Sequence, residues 1–229
     1  MRLIEKVNEP ECGWQVLNVI GSKLYHMEEK ITNYEFSILT LYRSNYNSSF
    51  HARAMAKLLK TSHVTLLPHL RKLEKNKILI SRKVGKNKEY LLNPDNIITK
   101  EYLTIAEKFE TTRYLQKNFL LKKISEQLLT LNLTSSIILF GSYAKNYATE
   151  ASDIDTFYLG KLTKTQRQEI KKIGEIYGKE INIKTATIEN FIDGLKSGDT
   201  LAREIAKNHI TLQNPDLFVN LLWRNYTGR

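Results

Sequence analysis

Two aspartates stand two residues apart in an otherwise apolar run, Asp153-Ile154-Asp155-Thr156-Phe157-Tyr158-Leu159. Asp is a poor strand former and is costly to bury without a counter-charge, so the pair asks for a partner. On a strand, residues i and i+2 face one way with Cα atoms ~6–7 Å apart, while the residue between them faces the other. Asp153 and Asp155 then converge and Ile154 turns into the core. Two carboxylates side by side repel unless a proton or a cation sits between them. Mg2+, a hard ion that prefers carboxylate and phosphate oxygens, meets that need. Upstream, Gly141-Ser142 ends another apolar run, residues 135–140. Glycine lets the backbone come close to a phosphate, and the serine hydroxyl can donate to it. These residue types at this spacing suggest a metal and a phosphate held together.

The elements that must position them can be read from pattern. Residues 135–140, with Ile137-Ile138-Leu139-Phe140 continuously apolar, predict a buried strand. A short helical stretch around 143–147, a polar loop to Ser152 and a second strand over 153–160 follow. Downstream come a helix over 164–177, a strand over 180–185 and helices over 188–195 and 200–207. In this order, Gly141-Ser142-Tyr143-Ala144-Lys145 followed by Ser152-Asp153-Ile154-Asp155 resembles the Gly-Ser…Asp-x-Asp signature of the polymerase-beta-like nucleotidyltransferases, and within them the minimal bacterial and archaeal members. The resemblance runs from about Ile124 to residue 229. It implies attack of an acceptor hydroxyl on the α-phosphate of a nucleoside triphosphate, ATP by first choice, with pyrophosphate leaving and one or two Mg2+ ions neutralising the developing charge. By the same resemblance Asp153 and Asp155 hold the metal, and Gly141, Ser142, Lys145 and Ser152 hold the triphosphate. Two positions depart from the family pattern. Lys145-Asn146 replaces the usual Arg-Gly, which keeps the charge and loses bidentate geometry. Asn182 stands where a third carboxylate is usual, and an amide neither takes a proton nor binds metal as a charged ligand. Glu180, two residues earlier on the same face, is the substitute expected to join Asp153 and Asp155 in catalysis.

Charge is unevenly spread. The chain carries +11, and residues 51–90 hold eleven Lys or Arg against two acids, so +9 of it lies in that block. A local basic block inside patterned sequence points to a surface that faces a polyanion. Helical spacing recurs near 34–42, a loop covers 45–49, a second helix spans 50–60, and a third is expected to begin near Thr65, which puts Pro68 in its first turn where no donor is missed. Residues 78–92 form two β-prone runs around the basic tip Gly85-Lys86-Asn87-Lys88. Three helices and a basic hairpin over about 32–93 resemble winged helix-turn-helix regulators of the ArsR and MarR kind. In such a domain a helix enters the major groove and the hairpin grips the adjacent backbone. His63, Thr65, His69, Arg71 and Lys72 are then the reading-helix candidates, and Arg82, Lys83, Lys86 and Lys88 the wing candidates.

The remaining bounds are broad. A 41% hydrophobic content predicts a packed core, and the single Cys12 excludes an intrachain disulfide framework. No apolar run reaches the ~20 residues that span a bilayer, and no secretory leader is evident at residues 1–6, so a cytoplasmic protein without membrane contact is expected. Residues 94–133 predict one long or two consecutive connector helices packing through Ile105, Phe109, Leu115, Phe119, Leu120, Ile124, Leu128 and Leu131; such helices also pair winged-helix homodimers. The expected architecture is α+β, comprising an extension over 1–31, a winged helix-turn-helix over 32–93, the connector over 94–133, and a nucleotidyltransferase domain over 134–229 with a small mixed sheet flanked by helices. Three functions fit it. One is a DNA-binding nucleotidyltransferase with a protein or RNA acceptor. A second is a double-stranded-DNA regulator whose transferase domain only senses nucleotide. A third is an autoregulating antitoxin that adenylylates a toxin partner.

Overall fold

Residues 33–228 are described by the computed structural model, and the extension expected over 1–31 lies outside them. Apolar residues at helical spacing build α1 (Asn33–Thr40), α2 (Ala52–Leu58) and α3 (His63–Lys75), whose Ile38, Leu39, Met55, Leu66, Leu70 and Leu73 bury completely or nearly so. The hairpin of β2 (Leu79–Val84) and β3 (Asn87–Leu92) closes this layer with Leu79, Tyr90 and Leu92. Its two-residue tip, Gly85-Lys86, has Gly85 at φ +60°, the left-handed geometry that a tight hairpin turn uses. Phe50 and His51, expected as helix, form the short strand β1 (Phe50–His51), paired with Tyr90 and Glu89. The His51 ring then caps α2 by accepting from the Ala54 amide. The third helix also starts earlier than expected, because the Ser62 hydroxyl accepts from the Thr65 amide and makes Ser62 the cap. Pro68 therefore lies inside α3, where the missing donor is the one that would reach the carbonyl of the exposed Val64.

The connector is two helices, α4 (Ile97–Lys117) and α5 (Phe119–Thr130), broken at Asn118. Thr99, Leu103, Ala106, Glu107 and Tyr114 set the inward face of α4. Ile105 falls off that face and Phe119 sits at the break, so both are exposed, contrary to the packing role expected of them.

The second sheet takes its strands from β4 (Ile137–Leu139), β5 (Ile154–Leu159), β6 (Ile181–Ala186) and β7 (Ile210–Gln213), in the order β6-β5-β4-β7. β5 and β6 run parallel and the other pairs antiparallel, so the sheet is mixed. Between the strands lie α6 (Gly141–Ala144), α7 (Lys164–Ile176), α8 (Ile188–Ser197) and α9 (Thr200–Lys207), and α10 (Pro215–Thr227) follows. Alternation splits the buried residues between two faces. Ile138, Phe157 and Leu159 share a core with Phe191, Ile205 and Phe218, and that core continues into the first three helices. Ile137, Leu139, Ile154 and Tyr158 pack with Leu121, Ile124, Leu128 and Ile173. The α+β architecture indicated by sequence is what forms.

One polar cluster lies inside the core. Arg43, just after α1, donates to Glu107 Oε2 at 2.7 Å and to the His209 carbonyl at 3.0 Å, and His209 Nε2 lies 3.0 Å from Glu107 Oε1. Burial would push the Glu107 carboxyl up, but the charges and hydrogen bonds of Arg43 and His209 override it and hold the group down to about 2. The cluster ties the segment after α1, the long helix α4 and the start of β7 together.

Candidate active site

β4 ends at Leu139, and the chain turns so that the Phe140 amide donates to the Asp155 carbonyl at 3.0 Å. Gly141 follows at φ +71°. A Cβ there would lie 2.4 Å from Asp155 Oδ2, closer than any real contact, so only glycine lets the Asp155 carboxylate rest against this turn. Asp155 is the second residue of β5 and Asp153 is exposed just ahead of the strand, while Ile154 between them is fully buried. In the parallel register Asp155 pairs with Asn182 of β6. The Asn182 amide donates to Asp153 Oδ2 at 3.4 Å and also to Asp155, so both carboxylates meet one neutral side chain. Burial and then the Asp153 charge push the Asp155 carboxyl up, and the Asn182 hydrogen bond and the Lys184 charge offset part of this.

A half-buried carboxylate pushed up by burial and by its acidic neighbour, with a cradle that a Cβ would fill, suits a divalent cation. Asp153 and Asp155 would hold it. Among the described residues no group of three or more His, Cys, Asp or Glu side chains is gathered for a metal, so water and phosphate oxygens would complete its shell.

Around this centre the other candidates separate. Ser142 lies half-buried beside Gly141, and its carbonyl accepts from the Tyr147 amide at 3.1 Å. Lys145 is ion-paired with Glu204 of α9, which raises its ammonium further, and its Nζ lies 5.9 Å from the Tyr147 ring centroid. The Ser152 hydroxyl accepts from the Thr149 amide at 2.9 Å and bonds the Thr149 hydroxyl, bracing the loop ahead of the aspartates. Glu180 precedes β6; its carbonyl accepts from the Ile154 amide, and with Lys171, Glu175 and Lys179 the exposed Glu180 lines a cleft that adjoins the Asp155 cleft at Lys171. The cleft that Asp155 and Asn182 line, about 450 Å³, includes Arg167, Lys171, Ile183 and Lys184. Sequence reading missed these three cations. The available signals were the i, i+4 spacing of Arg167 and Lys171 on one helix and Lys184 two residues beyond Asn182.

The basic face of the first 60 described residues sorts in the same way. His63 and Arg71 on α3, and Lys83 and Lys86 on the hairpin, are exposed. Arg82 and Lys88 are exposed too, but they are paired with Glu89 at 3.2 Å and Glu74 at 2.7 Å. His69 and Lys72 each lie 3.4 Å from the buried Glu35, and His69 stacks on Tyr34. The Thr65 hydroxyl bonds Ser62 at 2.8 Å within the helix cap. His69, Lys72 and Thr65 thus take part in internal contacts, and the outward cations are fewer than the sequence indicates.

Residues 121–212 match the family model of the nucleotidyltransferase domain, a stretch that contains Gly141, Ser142, Asp153, Asp155 and Asn182. This match supports nucleotidyl transfer, with a nucleoside triphosphate as substrate and a divalent metal as helper. No curated protein and no solved structure matches the chain. Among the described residues, no helix is long and apolar enough to cross a membrane.

Proposed function

We propose that the protein is a Mg2+-dependent nucleotidyltransferase that works at, or is directed by, double-stranded DNA. Asp153 and Asp155 hold the metal, Gly141 and Ser142 receive the triphosphate, and Lys145 reaches it when the Glu204 pair opens. Bound there, the metal would neutralise charge on the α-phosphate and the departing pyrophosphate. The chain's own part is to keep two carboxylates together at the start of β5, to leave room beside them at Gly141, and to hold them through the Asn182 amide. The observation that carries this reading is the 2.4 Å approach of a Gly141 Cβ to Asp155 within a stretch that matches the nucleotidyltransferase domain. For the DNA partner, support comes from the order α1-β1-α2-α3-β2-β3, which is that of a winged helix-turn-helix, and from the exposed His63, Arg71, Lys83 and Lys86.

Incubation with α-labelled ATP, Mg2+ and candidate acceptors tests the transferase. Label must move to an acceptor with release of pyrophosphate, and the Asp153→Ala/Asp155→Ala variant must abolish both. A gel shift with duplex DNA tests the second half, since affinity resting on phosphate contacts falls as salt rises. Asn182 favours one other reading, a DNA-binding regulator whose transferase fold senses nucleotide. Tight Mg2+-dependent ATP binding with no transfer to any acceptor would select it.

A further inference from the structure

Asp153 is the less supported of the two aspartates. Asp155 lies within β5, registered against Asn182 and seated on Gly141, whereas Asp153 precedes the strand and is exposed. The Asn182 amide reaches it only at 3.4 Å, a long hydrogen bond that cannot by itself fix a metal ligand. The backbone on either side of Asp153 is held by two consecutive residues of one turn. Ahead of it, Lys179 Nζ donates to the Glu150 carbonyl and lies 3.5 Å from the Ser152 carbonyl. After it, the Ile154 amide donates to the Glu180 carbonyl at 2.9 Å. The Lys179 ammonium also stands 6.0 Å from the ring centroid of Tyr143, the residue that follows Gly141-Ser142. One side chain thus joins the loop that ends at Asp153 to the turn that begins at Gly141.

Local geometry fixes where this ammonium sits. Lys179 is half-buried in the turn between α7 and β6. Its amide donates to the Gly174 carbonyl at 2.9 Å, and a Cβ on Gly174 would meet the Lys179 carbonyl at 2.5 Å. Glycine there lets the turn close against α7, which sets the point from which the lysine stem starts. Tyr143 is fixed in turn through its carbonyl, which accepts from the buried Tyr114 hydroxyl at 2.8 Å. The Ser152 amide donates to the Thr149 carbonyl at 3.0 Å and closes the 149–152 turn, whose carbonyls Lys179 meets. An ammonium offers three donors and no acceptor, which suits two carbonyls and a ring face. We infer that Lys179 is a positioning residue for the metal centre, holding the Glu150 and Ser152 carbonyls so that Asp153 stays beside Asp155. The inference rests on the transferase reading above. Lys179 acts through Ser152 and Tyr143 rather than by touching the reacting groups. Its charge alone would work against the metal, because an ammonium near a cation site repels the incoming ion. Positioning and bare charge therefore predict opposite signs when Lys179 is removed.

Mn2+ is the probe, an oxygen-binding divalent ion whose free form is read by electron paramagnetic resonance, titrated into the full-length protein without nucleotide. Lys179→Met keeps the stem and removes the donors, and it should weaken Mn2+ binding about tenfold, the scale of a lost outer-shell contact. Lys179→Arg restores donors and should return binding to within about threefold of wild type. Lys172→Met, which removes an exposed lysine of α7, controls for net charge and should leave binding within about twofold. Without divalent ions, each variant should melt within about 5 °C of wild type. If Lys179→Met does not fold, Lys179→Gln, which ends one atom short of the ammonium, takes its place. Mn2+ binding by Lys179→Met as tight as wild type, or tighter, would overturn the inference and leave the carboxylate pair standing. So would Lys179→Arg binding Mn2+ no better than Lys179→Met. Should wild type and Asp153→Ala/Asp155→Ala bind Mn2+ alike, the metal site itself is refuted, and the transferase reading goes with it.

Discussion

Replacing Gly141 with alanine tests the geometry at its tightest point, and its effect can be worked from two terms. An L-residue at φ +71° enters the left-handed region, which costs about 1–2 kcal/mol. The added Cβ would also meet Asp155 Oδ2 at 2.4 Å, where ordinary contact begins at 3.4 Å, so the carboxylate must retreat by about 1 Å. For a chain of this size each kcal/mol lowers Tm by about 2–4 °C, so the backbone term alone predicts a fall of about 2–8 °C. The functional effect is larger. A displacement of ~1 Å at a metal carboxylate can cost about a hundredfold in rate, and Mg2+-dependent nucleotide binding should weaken with it. Gly85→Ala is the control: its φ is +60°, yet nothing lies within 4 Å of its Cβ position. Both variants should melt lower, measured by calorimetry, but only Gly141→Ala should lose Mg2+-dependent ATP affinity, measured by titration. If Gly141→Ala binds Mg2+-ATP as Gly85→Ala does, the carboxylate does not depend on that turn and the site has been misread.

Further outcomes follow from the same reasoning. Glu107→Gln leaves Arg43 and His209 buried without their counter-charge, which should destabilise the fold by about 3–5 kcal/mol in urea denaturation. Because the Glu107 carboxyl is held down to about 2 from an ordinary 4.5, its stabilisation is present above about pH 4.5 and drains away as pH falls toward 2. The acid decline of the wild type should therefore be shallower in the variant, and parallel declines would count against the cluster. For Asp155 the sign reverses. Its carboxyl is pushed up, so the folded state binds that proton more tightly and its contribution weakens as pH rises past the ordinary 3.8. Asp155→Asn should melt no lower than wild type at neutral pH without divalent ions and should lose the rise in Tm that Mg2+ gives; a lower melt with an intact Mg2+ response would contradict this. Lys83→Glu/Lys86→Glu on the hairpin should flatten the dependence of log affinity for duplex DNA on log salt by about 0.9 per lost phosphate contact, and an unchanged slope would exclude the hairpin from the interface.

What the sequence made legible was local. The apolar run around Ile137–Leu139 reads as a buried strand because every residue in it is apolar. The hairpin tip reads from Gly85, and Asn182 falls opposite Asp155 because strand parity fixes its face. Cap chemistry could have been read more closely. Ser62 competes with Thr65 to start a helix, and the residue that places its hydroxyl on the i+3 amide wins. Pairings across long separations left no trace in local pattern. Lys145 meets Glu204, and His69 and Lys72 meet Glu35, through tertiary packing that brings distant elements together. Glu180 shows the limit of parity reasoning. The rule gives its face, but the strand has not yet begun at residue 180, and Glu180 lines a neighbouring cleft that shares Lys171 with that of Asn182.

Contrast between two acidic centres supplies the argument for where chemistry happens. Glu107 is fully buried, meets the Arg43 guanidinium and the His209 imidazole at 3.0 Å or less, and is driven deep into its ionised form. Nothing about it invites a ligand, since its charge is already answered by the protein. Asp155 is only partly buried, faces another carboxylate and a neutral amide, and is pushed toward its protonated form. The fold that places Arg43 and His209 on Glu107 leaves Asp153 and Asp155 underneutralised beside an open cleft. A carboxylate pair left short of positive charge is arranged for a cation from solution.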